Sequence, residues 1–376
     1  MLPQPPLWLV LIAFVCALGP LIFFHEMGHY LVARLFGIPA EIFSIGFGRE
    51  LVGWTDRRGT RWKVAWLPLG GFVKFVGDMS PASNPAELES VPPELRDRVF
   101  QVRPVWQRFL VVLAGPIANF ILAIIIFAAF FTILGAPATT NVVAKVKPNT
   151  AAAAAGIEQG DRILSVAGIE TPTFTDLLNV VSVRPNEKVI IAVERSGSVH
   201  QVQVTLTSDQ IKDSYGRTFS RGLLGVFPEA GVLKPLPVFT AIPTAVEYTW
   251  RWVRTMVDGL AQIIRGRVSP KELGGPITIA TVAGESISNG PLSFVSLVAL
   301  LSINLGFINL LPVPVLDGGH LFFYAVEAIQ RRPVSAKALD WAFRGGIAII
   351  LALMVFLTVN DLASLGLWDR LQRLIG

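Results

Sequence analysis

The chain has 376 residues, of which 52% are hydrophobic and 16% are charged, and its mean hydropathy is +0.56. This composition is too apolar for an ordinary soluble globular protein, so we expect an integral membrane protein in contact with the lipid bilayer. The net charge of +5 does not require a nucleic acid partner, because membrane proteins concentrate Lys and Arg in cytoplasmic loops. The single cysteine, Cys16, excludes an intramolecular disulfide and a cysteine-based metal site.

The first apolar segment, residues 7–35, contains a polar cluster formed by His25, Glu26 and His29. Ionisable groups inside a span are costly and usually functional. The two histidines lie four residues apart and therefore on one helix face, so both imidazoles can reach one metal ion, with Glu26 beside a water that the metal activates. Zinc is the expected metal, since imidazole and carboxylate ligands suit it. A hydrogen-bonded structural cluster is the alternative.

Three further apolar segments follow, at about residues 109–134, 292–311 and 346–365. The loop 36–105 is rich in Lys and Arg, and the loop between the third and fourth segments is also basic, whereas the N-terminal tail has neither residue. By the positive-inside rule both loops are cytoplasmic, both termini lie outside, and the region between the second and third spans faces outward. No basic segment precedes the first span as in a signal peptide, so we expect this span to be retained.

The outer region is predicted to begin with a small β-rich domain at residues 141–206. It contains a hairpin around Ser196-Gly197-Ser198 and a short helix capped near Thr173 or Thr175. An amphipathic helix is predicted at residues 245–267, with apolar residues at alternating steps of four and three. This helix either lies on the bilayer surface or packs on the small domain.

A third zinc ligand is expected from the sequence NLLPVPVLDGGH, residues 309–320. Its prolines and glycines break a helix at membrane depth, where irregular backbone is tolerated only in protein or along a cavity. An anionic side chain at that depth favours a cation. Asp317 is therefore the best candidate, with His320 as its rival, although Asp317 could instead only cap the following helix.

Several motifs together resemble the site-2 protease family of intramembrane zinc metalloproteases. They are HEMGH at residues 25–29 and NLLPVPVLDG at residues 309–318. GGFVKF at residues 70–75, GPIANF at residues 115–120 and the stretch GRVSPKELGGPITIA further resemble the group of bacterial regulators of sigma-E protease, the RseP group. The likeness spans nearly the whole chain. Well-known members have two tandem PDZ domains, whereas this outer region has room for one.

The resemblance implies an α-helical polytopic membrane protein with about four transmembrane helices, membrane-associated β-strands and an inserted PDZ domain. The expected parts are the N-terminal half of a membrane protease core at residues 1–137 and the PDZ domain at 138–208. A linker strand and the amphipathic helix occupy 209–275, and the C-terminal half of the core occupies 276–376.

The resemblance also implies roles for individual residues. His25, His29 and Asp317 would bind zinc on the cytoplasmic side, and Glu26 would be the general base. Asn309 would contact substrate or polarise the scissile carbonyl. A substrate-pairing strand would comprise Gly70, Gly71, Phe72, Val73, Lys74 and Phe75, for which a structural hairpin strand is the alternative.

The function expected from these features is that of an intramembrane zinc endopeptidase. Its substrates would be single-span proteins already trimmed by another protease. The resemblance implies that they include a membrane-anchored transcription regulator such as an anti-sigma factor in a stress response. A non-enzymatic alternative is a PDZ scaffold or a metal-transport protein. Glu26 separates the two, because a transport site does not need a general base next to a ligand. The sequence does not specify an oligomeric state.

Overall fold

The computed structural model describes residues 5–77, 93–136, 141–212, 218–228, 235–266, 268–270 and 273–364. The predicted domain boundary at 137/138, the predicted end of the amphipathic helix at Arg267 and the predicted end of the fourth span at Leu365 lie outside these residues.

The helices are α1 Leu7–Leu35, α2 Val105–Ile133, α3 Ala151–Ala154, α4 Phe174–Ser182, α5 Val238–Ile264, α6 Pro276–Ser288, α7 Pro291–Asn309, α8 Asp317–Gln330 and α9 Ala336–Ser364. The strands are β1 Ala40–Thr55, β2 Arg61–Phe75, β3 Val143–Val146, β4 Arg162–Val166, β5 Ile169–Glu170, β6 Lys188–Arg195, β7 Ser198–Thr205, β8 Thr207–Lys212, β9 Thr218–Leu223 and β10 Val226–Pro228.

Within the described residues, α1, α2, α7 and α9 are long and apolar enough to cross a membrane. The prediction of a mostly helical protein with four candidate spans is therefore confirmed. The helix of the fourth span begins ten residues before the predicted start, Gly346. Its first turns carry an Asp340–Arg344 ion pair of 3.0 Å, which hides the helical segment from a search for apolar runs.

The chain divides into two compact units. The first comprises Met1–Ile126 and Thr278–Phe356. In it, α1 packs against α7 through small and apolar side chains, among them Ala13, Ala17, Leu21 and Val298. Small residues let helices approach closely in a membrane, where van der Waals contact rather than water exclusion holds them together.

Strands β1 and β2 form a sheet in this first unit, and both strands are long and irregular in register. Residues 42–45 of β1 have partners on two sides, residues 61–64 and residues 71–74 of β2. The segment 71–75 pairs with residues 40–45 alone among the described residues, so it forms an outer edge of the sheet. An outer edge leaves main-chain groups available to a further strand.

The second unit comprises Phe127–Ile277 and Leu357–Gly376, and it contains a small β domain. Its main sheet has the order β5-β4-β6-β7. Strands β6 and β7 form the predicted hairpin, with Ser196 and Gly197 both at positive φ in the two-residue turn. Helix α4 begins after the N-cap Thr173, whose side chain forms a capping box with Asp176.

The small β domain extends beyond residue 208, where the sequence placed its boundary. Strand β10 pairs with β3, which starts more than 80 positions earlier in the chain. Leu224, between β9 and β10, belongs to the same buried core as Val143, Ile163 and Leu206. Such non-local pairing has no signature in a local sequence pattern.

Helix α5 packs on the small β domain through its polar side. Arg251 forms an ion pair of 3.2 Å with Asp176, and Asp258 forms another with Arg184, whose side chain is 3% exposed. The predicted apolar stripe points away from these contacts: Trp250 is 54% exposed, and Ile264 is 77% exposed. Packing on the small domain, one of the two predicted placements, is thus present, but it uses the polar face.

Candidate metal centre

Three potential ligand atoms converge between α1 and the start of α8. His25 Nε2 lies 3.1 Å from Asp317 Oδ2, His29 Nε2 lies 3.5 Å from the same oxygen, and the two Nε2 atoms are 3.3 Å apart. Both histidines are about 9% exposed. The sequence separates Asp317 from the histidines by about 290 positions, and the fold brings the three together.

Two features of α2 orient His29 and leave room for it. His29 Nδ1 lies 2.9 Å from the main-chain carbonyl oxygen of Val111, which can only accept, so Nδ1 carries the proton and Nε2 is free to bind a metal. A Cβ atom at Gly115 would overlap the His29 imidazole and crowd that of His25. Gly28 contributes to the same close packing, because a Cβ there would overlap the carbonyl of Ala114.

The same face of α2 reaches His25. The side chain of Asn119 is fully buried, and its Nδ2 is placed 3.1 Å from His25 Nδ1. Gly115 and Asn119 are four residues apart, as are His25 and His29, so two helical faces of matching spacing meet. No chemistry was assigned to Asn119 from the sequence. The signal that could have found it is an amide among apolar residues of a span, four residues after a glycine.

Asp317 is placed by the broken helix that the sequence predicts. Helix α7 ends at Asn309, and α8 begins at Asp317 after Leu316, which forms no side-chain cap. Asp317 is thus the first helical residue and not a capping residue. Val315, two positions before Asp317, has φ 89°, a strained conformation for a β-branched residue of the kind that concentrates at functional sites.

Glycines let this loop pack tightly. A Cβ at Gly318 would overlap the carbonyl of Leu311, and one at Gly319 would press on Val313. Gly346 of α9 lies against the carbonyl of Pro314, which leaves no room for a side chain. The loop that ends at Asp317 is therefore packed between α8 and α9.

His320, the rival ligand, packs against aromatic rings. Its ring contacts Phe343 with centroids 4.9 Å apart, and Tyr324 at 6.3 Å. The group of convergent ligand atoms among the described residues contains His25, His29 and Asp317 and does not include His320.

Glu26 is buried next to the edge segment of β2. Its carboxylate accepts a hydrogen bond from the Val73 main-chain N–H. Gly71 brings the strand close, because a Cβ there would press on Glu26 as well as on Ile22 and the carbonyl of Ser44. The outer strand of the sheet and the carboxylate next to the convergent ligands therefore adjoin each other.

The remaining predicted site residues are placed as follows. Asn309 is the last residue of α7 and is half-buried. Gly70 has φ 110° and faces the Phe47 ring. Lys74 forms an ion pair of 2.7 Å with Glu41, so its ammonium group is engaged within the sheet.

The geometry of the three ligand atoms fits a zinc ion. Zinc with bonds of about 2.0–2.2 Å to tetrahedral ligands places those ligands roughly 3.3–3.6 Å apart. Of the three separations, 3.3 and 3.5 Å fall within this range and 3.1 Å lies just below it. Asp317 Oδ2 is buried and meets no partner with hydrogen-bond geometry in the described part of the chain. A buried carboxylate oxygen without a donor is stabilised by a cation.

These features define a membrane-embedded metalloprotease: an H-E-x-x-H helix inside a span, with a carboxylate brought to it from a broken helix. The match to the family model described as Peptidase family M50 covers residues 13–353, and the chain belongs to this family of zinc metalloproteases, the site-2 proteases. The resemblance to the site-2 protease family is thus confirmed, as are the enzyme class and zinc as its cofactor.

Curated relatives agree with this assignment. The chain is 45% identical over 358 residues to a "Putative zinc metalloprotease" of Rhizobium meliloti, covering 93% of this chain and 95% of the relative. It is 42% identical over 361 residues to a protein of the same name from Agrobacterium fabrum, covering 94% and 96%. It is also 38% identical over 380 residues to the metalloprotease MmpA of Caulobacter vibrioides, covering 94% and 95%.

Proposed function

We propose that this membrane metalloprotease cleaves transmembrane segments of single-span proteins within the bilayer. The observation that supports this most directly is the convergence of His25, His29 and Asp317 at a buried site of a membrane-spanning helix. A site at that position meets membrane segments more readily than soluble chains.

In this proposal His25, His29 and Asp317 hold the zinc and Glu26 is the general base. When bound, zinc polarises the scissile carbonyl and makes a water molecule a good nucleophile near neutral pH. Glu26 accepts the proton of that water and returns it to the leaving amine. The Val73 N–H, which donates to Glu26, holds the carboxylate in one orientation.

The edge of β2 is the proposed docking strand for substrate. A transmembrane helix hides its peptide bonds, so its cleavage requires a locally extended stretch whose main-chain groups need partners. The segment 71–75 pairs on one side with β1. Its other side can take an added strand, and Gly71 and Val73 adjoin Glu26. Asn309 is proposed to contact the substrate or polarise the scissile carbonyl.

The finer biological role is also proposed from the family and the chain order. The small β domain is proposed to be a single PDZ domain, as in shorter members of the RseP group. The basic loop 36–105 supports an orientation with the zinc site towards the cytoplasm and both termini and the β domain outside the inner membrane.

The proposed pathway is regulated intramembrane proteolysis in a stress response. The substrate would be a membrane-anchored transcription regulator such as an anti-sigma factor, cut first in its ectodomain by another protease. The first strand of the small β domain begins at Val143, ten positions after the second span ends at Ile133, and we propose that the domain discriminates against bulky ectodomains.

A comparison of membrane proteomes tests the proposed activity. Cells with the unmodified protein and cells with Glu26→Gln are compared by quantitative mass spectrometry. We expect single-span proteins that have already lost their ectodomains to accumulate in the Glu26→Gln cells with their transmembrane segments intact. Reconstituted enzyme should then cut such a protein within its span, and faster once its ectodomain is removed. Cleavage confined to soluble loops would contradict the proposal, and equal cleavage of full-length and trimmed substrate would refute the two-step order alone.

A further inference from the structure

Asn119 is the buried polar group that the proposed mechanism leaves without a role. It lies on α2, a span in which the neighbouring positions are apolar, and its side chain is fully buried. Burying an amide in such a place is costly unless its hydrogen bonds are made. Its one side-chain contact with hydrogen-bond geometry among the described residues is with His25 Nδ1, at 3.1 Å.

The chemistry of His25 determines what this contact must be. His25 Nε2 is the nitrogen that points at His29 Nε2 and Asp317 Oδ2. A neutral imidazole that binds a metal through Nε2 carries its proton on Nδ1, which is then a donor. The atom of Asn119 facing Nδ1 must therefore accept, and only the amide oxygen can do so.

The amide can present its oxygen to His25. The oxygen and nitrogen of an Asn side chain have nearly the same shape, and their assignment follows from the hydrogen-bond network. With Nδ2 placed towards His25, the buried Oδ1 has no partner within the part of the chain that the structure describes. No hydrogen bond therefore holds the amide oxygen away from His25. The metal-binding tautomer of His25, with its proton on Nδ1, favours the flipped amide, in which the oxygen faces His25.

We propose that Asn119 is a positioning residue for the metal centre. Its amide oxygen accepts the His25 Nδ1–H and keeps His25 in the tautomer whose Nε2 binds zinc. It would complement the Val111 carbonyl, which does the same for His29. Acceptors of this kind orient ligands, and their loss costs about 10- to 100-fold in metal affinity. The inference rests on the proposed role of His25 as a zinc ligand.

Zinc affinity measured by competition with a chelator tests this role in the full-length protein in detergent. Asn119→Leu keeps the branched shape of the side chain but removes the acceptor, and we expect its zinc dissociation constant to rise about 10- to 100-fold. Asn119→Asp keeps an acceptor and should bind zinc at least as tightly as the unmodified protein. The matched control is Ser302→Ala, which removes a hydrogen bond of 2.7 Å to the Asn119 main-chain carbonyl but leaves the amide in place. It should change the constant less than threefold.

A second measurement works on the unmodified protein and so does not depend on the folding of a variant. The chain has four histidines, which makes nitrogen NMR of ¹⁵N-histidine-labelled, zinc-loaded protein tractable. We expect His25 to show a protonated Nδ1 and a zinc-bound Nε2. An unprotonated Nδ1, or equal zinc affinities in Asn119→Leu and Ser302→Ala, would overturn the inference. Full zinc binding by His25→Ala would instead refute the proposed ligand set, which distinguishes the two failures.

Discussion

His29 Nδ1 and the main-chain carbonyl oxygen of Val111 lie 2.9 Å apart, so a helix backbone orients one of the convergent imidazoles. The contact is possible because α2 has no side chain at Gly115, where the imidazole lies against the helix. The position of α2 therefore decides whether His29 can bind a metal.

We expect the Gly115→Ala variant to lose its bound zinc and its proteolytic activity. The added methyl group would overlap the His29 imidazole, and overpacking a tight site typically costs about 1–3 kcal/mol. A shift of a few tenths of an ångström in His29 also spoils its alignment with the metal. Zinc per chain, measured by elemental analysis after size-exclusion chromatography, should fall at least about 10-fold. Gly19→Ala, at an α1 position with nothing within 4 Å, is the control. Equal zinc contents would show that the close packing is unimportant.

The adjacent glycines of α9 offer a second matched pair. A Cβ at Gly346 would overlap the carbonyl of Pro314 and push the loop that positions Asp317, whereas one at Gly345 meets nothing within 4 Å. Gly346→Ala should therefore reduce kcat by roughly 10- to 100-fold, because small displacements of catalytic groups are costly. Gly345→Ala should act like the unmodified enzyme in the same reconstituted assay. Similar activities for the two variants would refute a positioning role for α9.

The small β domain should lose stability in acid through Asp161. Hydrogen bonds from the Arg195 side chain hold the pKa of the Asp161 carboxyl below its ordinary value. A carboxyl with a lowered folded-state pKa stabilises the fold above its unfolded pKa, and that stability is lost as the pH falls through the folded value. Arg195→Met should make the domain less stable at neutral pH and flatten its further loss in acid.

Hydrogen exchange of β4, β6 and β7 in the intact protein, corrected for the intrinsic exchange rate, measures this stability. Arg162→Met is the control, since its ion pair with Glu194 is exposed and should contribute little. If Arg195→Met and the unmodified protein lost protection in parallel over the acid range, the Asp161 carboxyl would not be responsible.

The apolar stripe of α5 should contact lipid. Val246 and Trp250 are exposed on the side opposite the ion pairs to the small β domain. At the start of the helix, Leu236 donates to the carbonyl of Phe131 near the end of the second span, which places it near the membrane surface. In a Cys16→Ala background, a spin label at residue 246 should be relaxed mainly by oxygen dissolved in lipid. A label at Glu247, which is on the polar side, should be relaxed mainly by a water-soluble nickel chelate. Equal access of the chelate to both would place the stripe in water.

Local patterns in the sequence were sufficient for much of this structure. The four-residue spacing of His25 and His29 gives a shared helix face, and the prolines and glycines before Asp317 give the break that delivers it. Four spans follow from apolar length, with the start of the fourth hidden by Asp340 and Arg344.

The features that were missed depend on contacts between distant parts of the chain. Gly115 and Asn119 were expected to hold the second span close to the first, but helix packing decides which side chains meet, so their contacts with His25 and His29 could not be predicted. The pairing of β10 with β3 likewise has no local signal, and the small β domain extends past its predicted end. The sequence revealed the period of the apolar stripe on α5 but not whether the stripe faces the small β domain or points away from it, because in a membrane protein an apolar face can point outward.

The ligand set is the central claim, and the zinc content of four variants tests it most directly. His25→Ala and Asp317→Ala should each lose nearly all of the one zinc per chain, while His320→Ala should keep it, because the His320 ring packs against Phe343. Glu26→Gln should keep its zinc and lose proteolysis, as expected of a base that is not a ligand. Full zinc occupancy in Asp317→Ala together with depletion in His320→Ala would contradict the account and make His320 the third ligand.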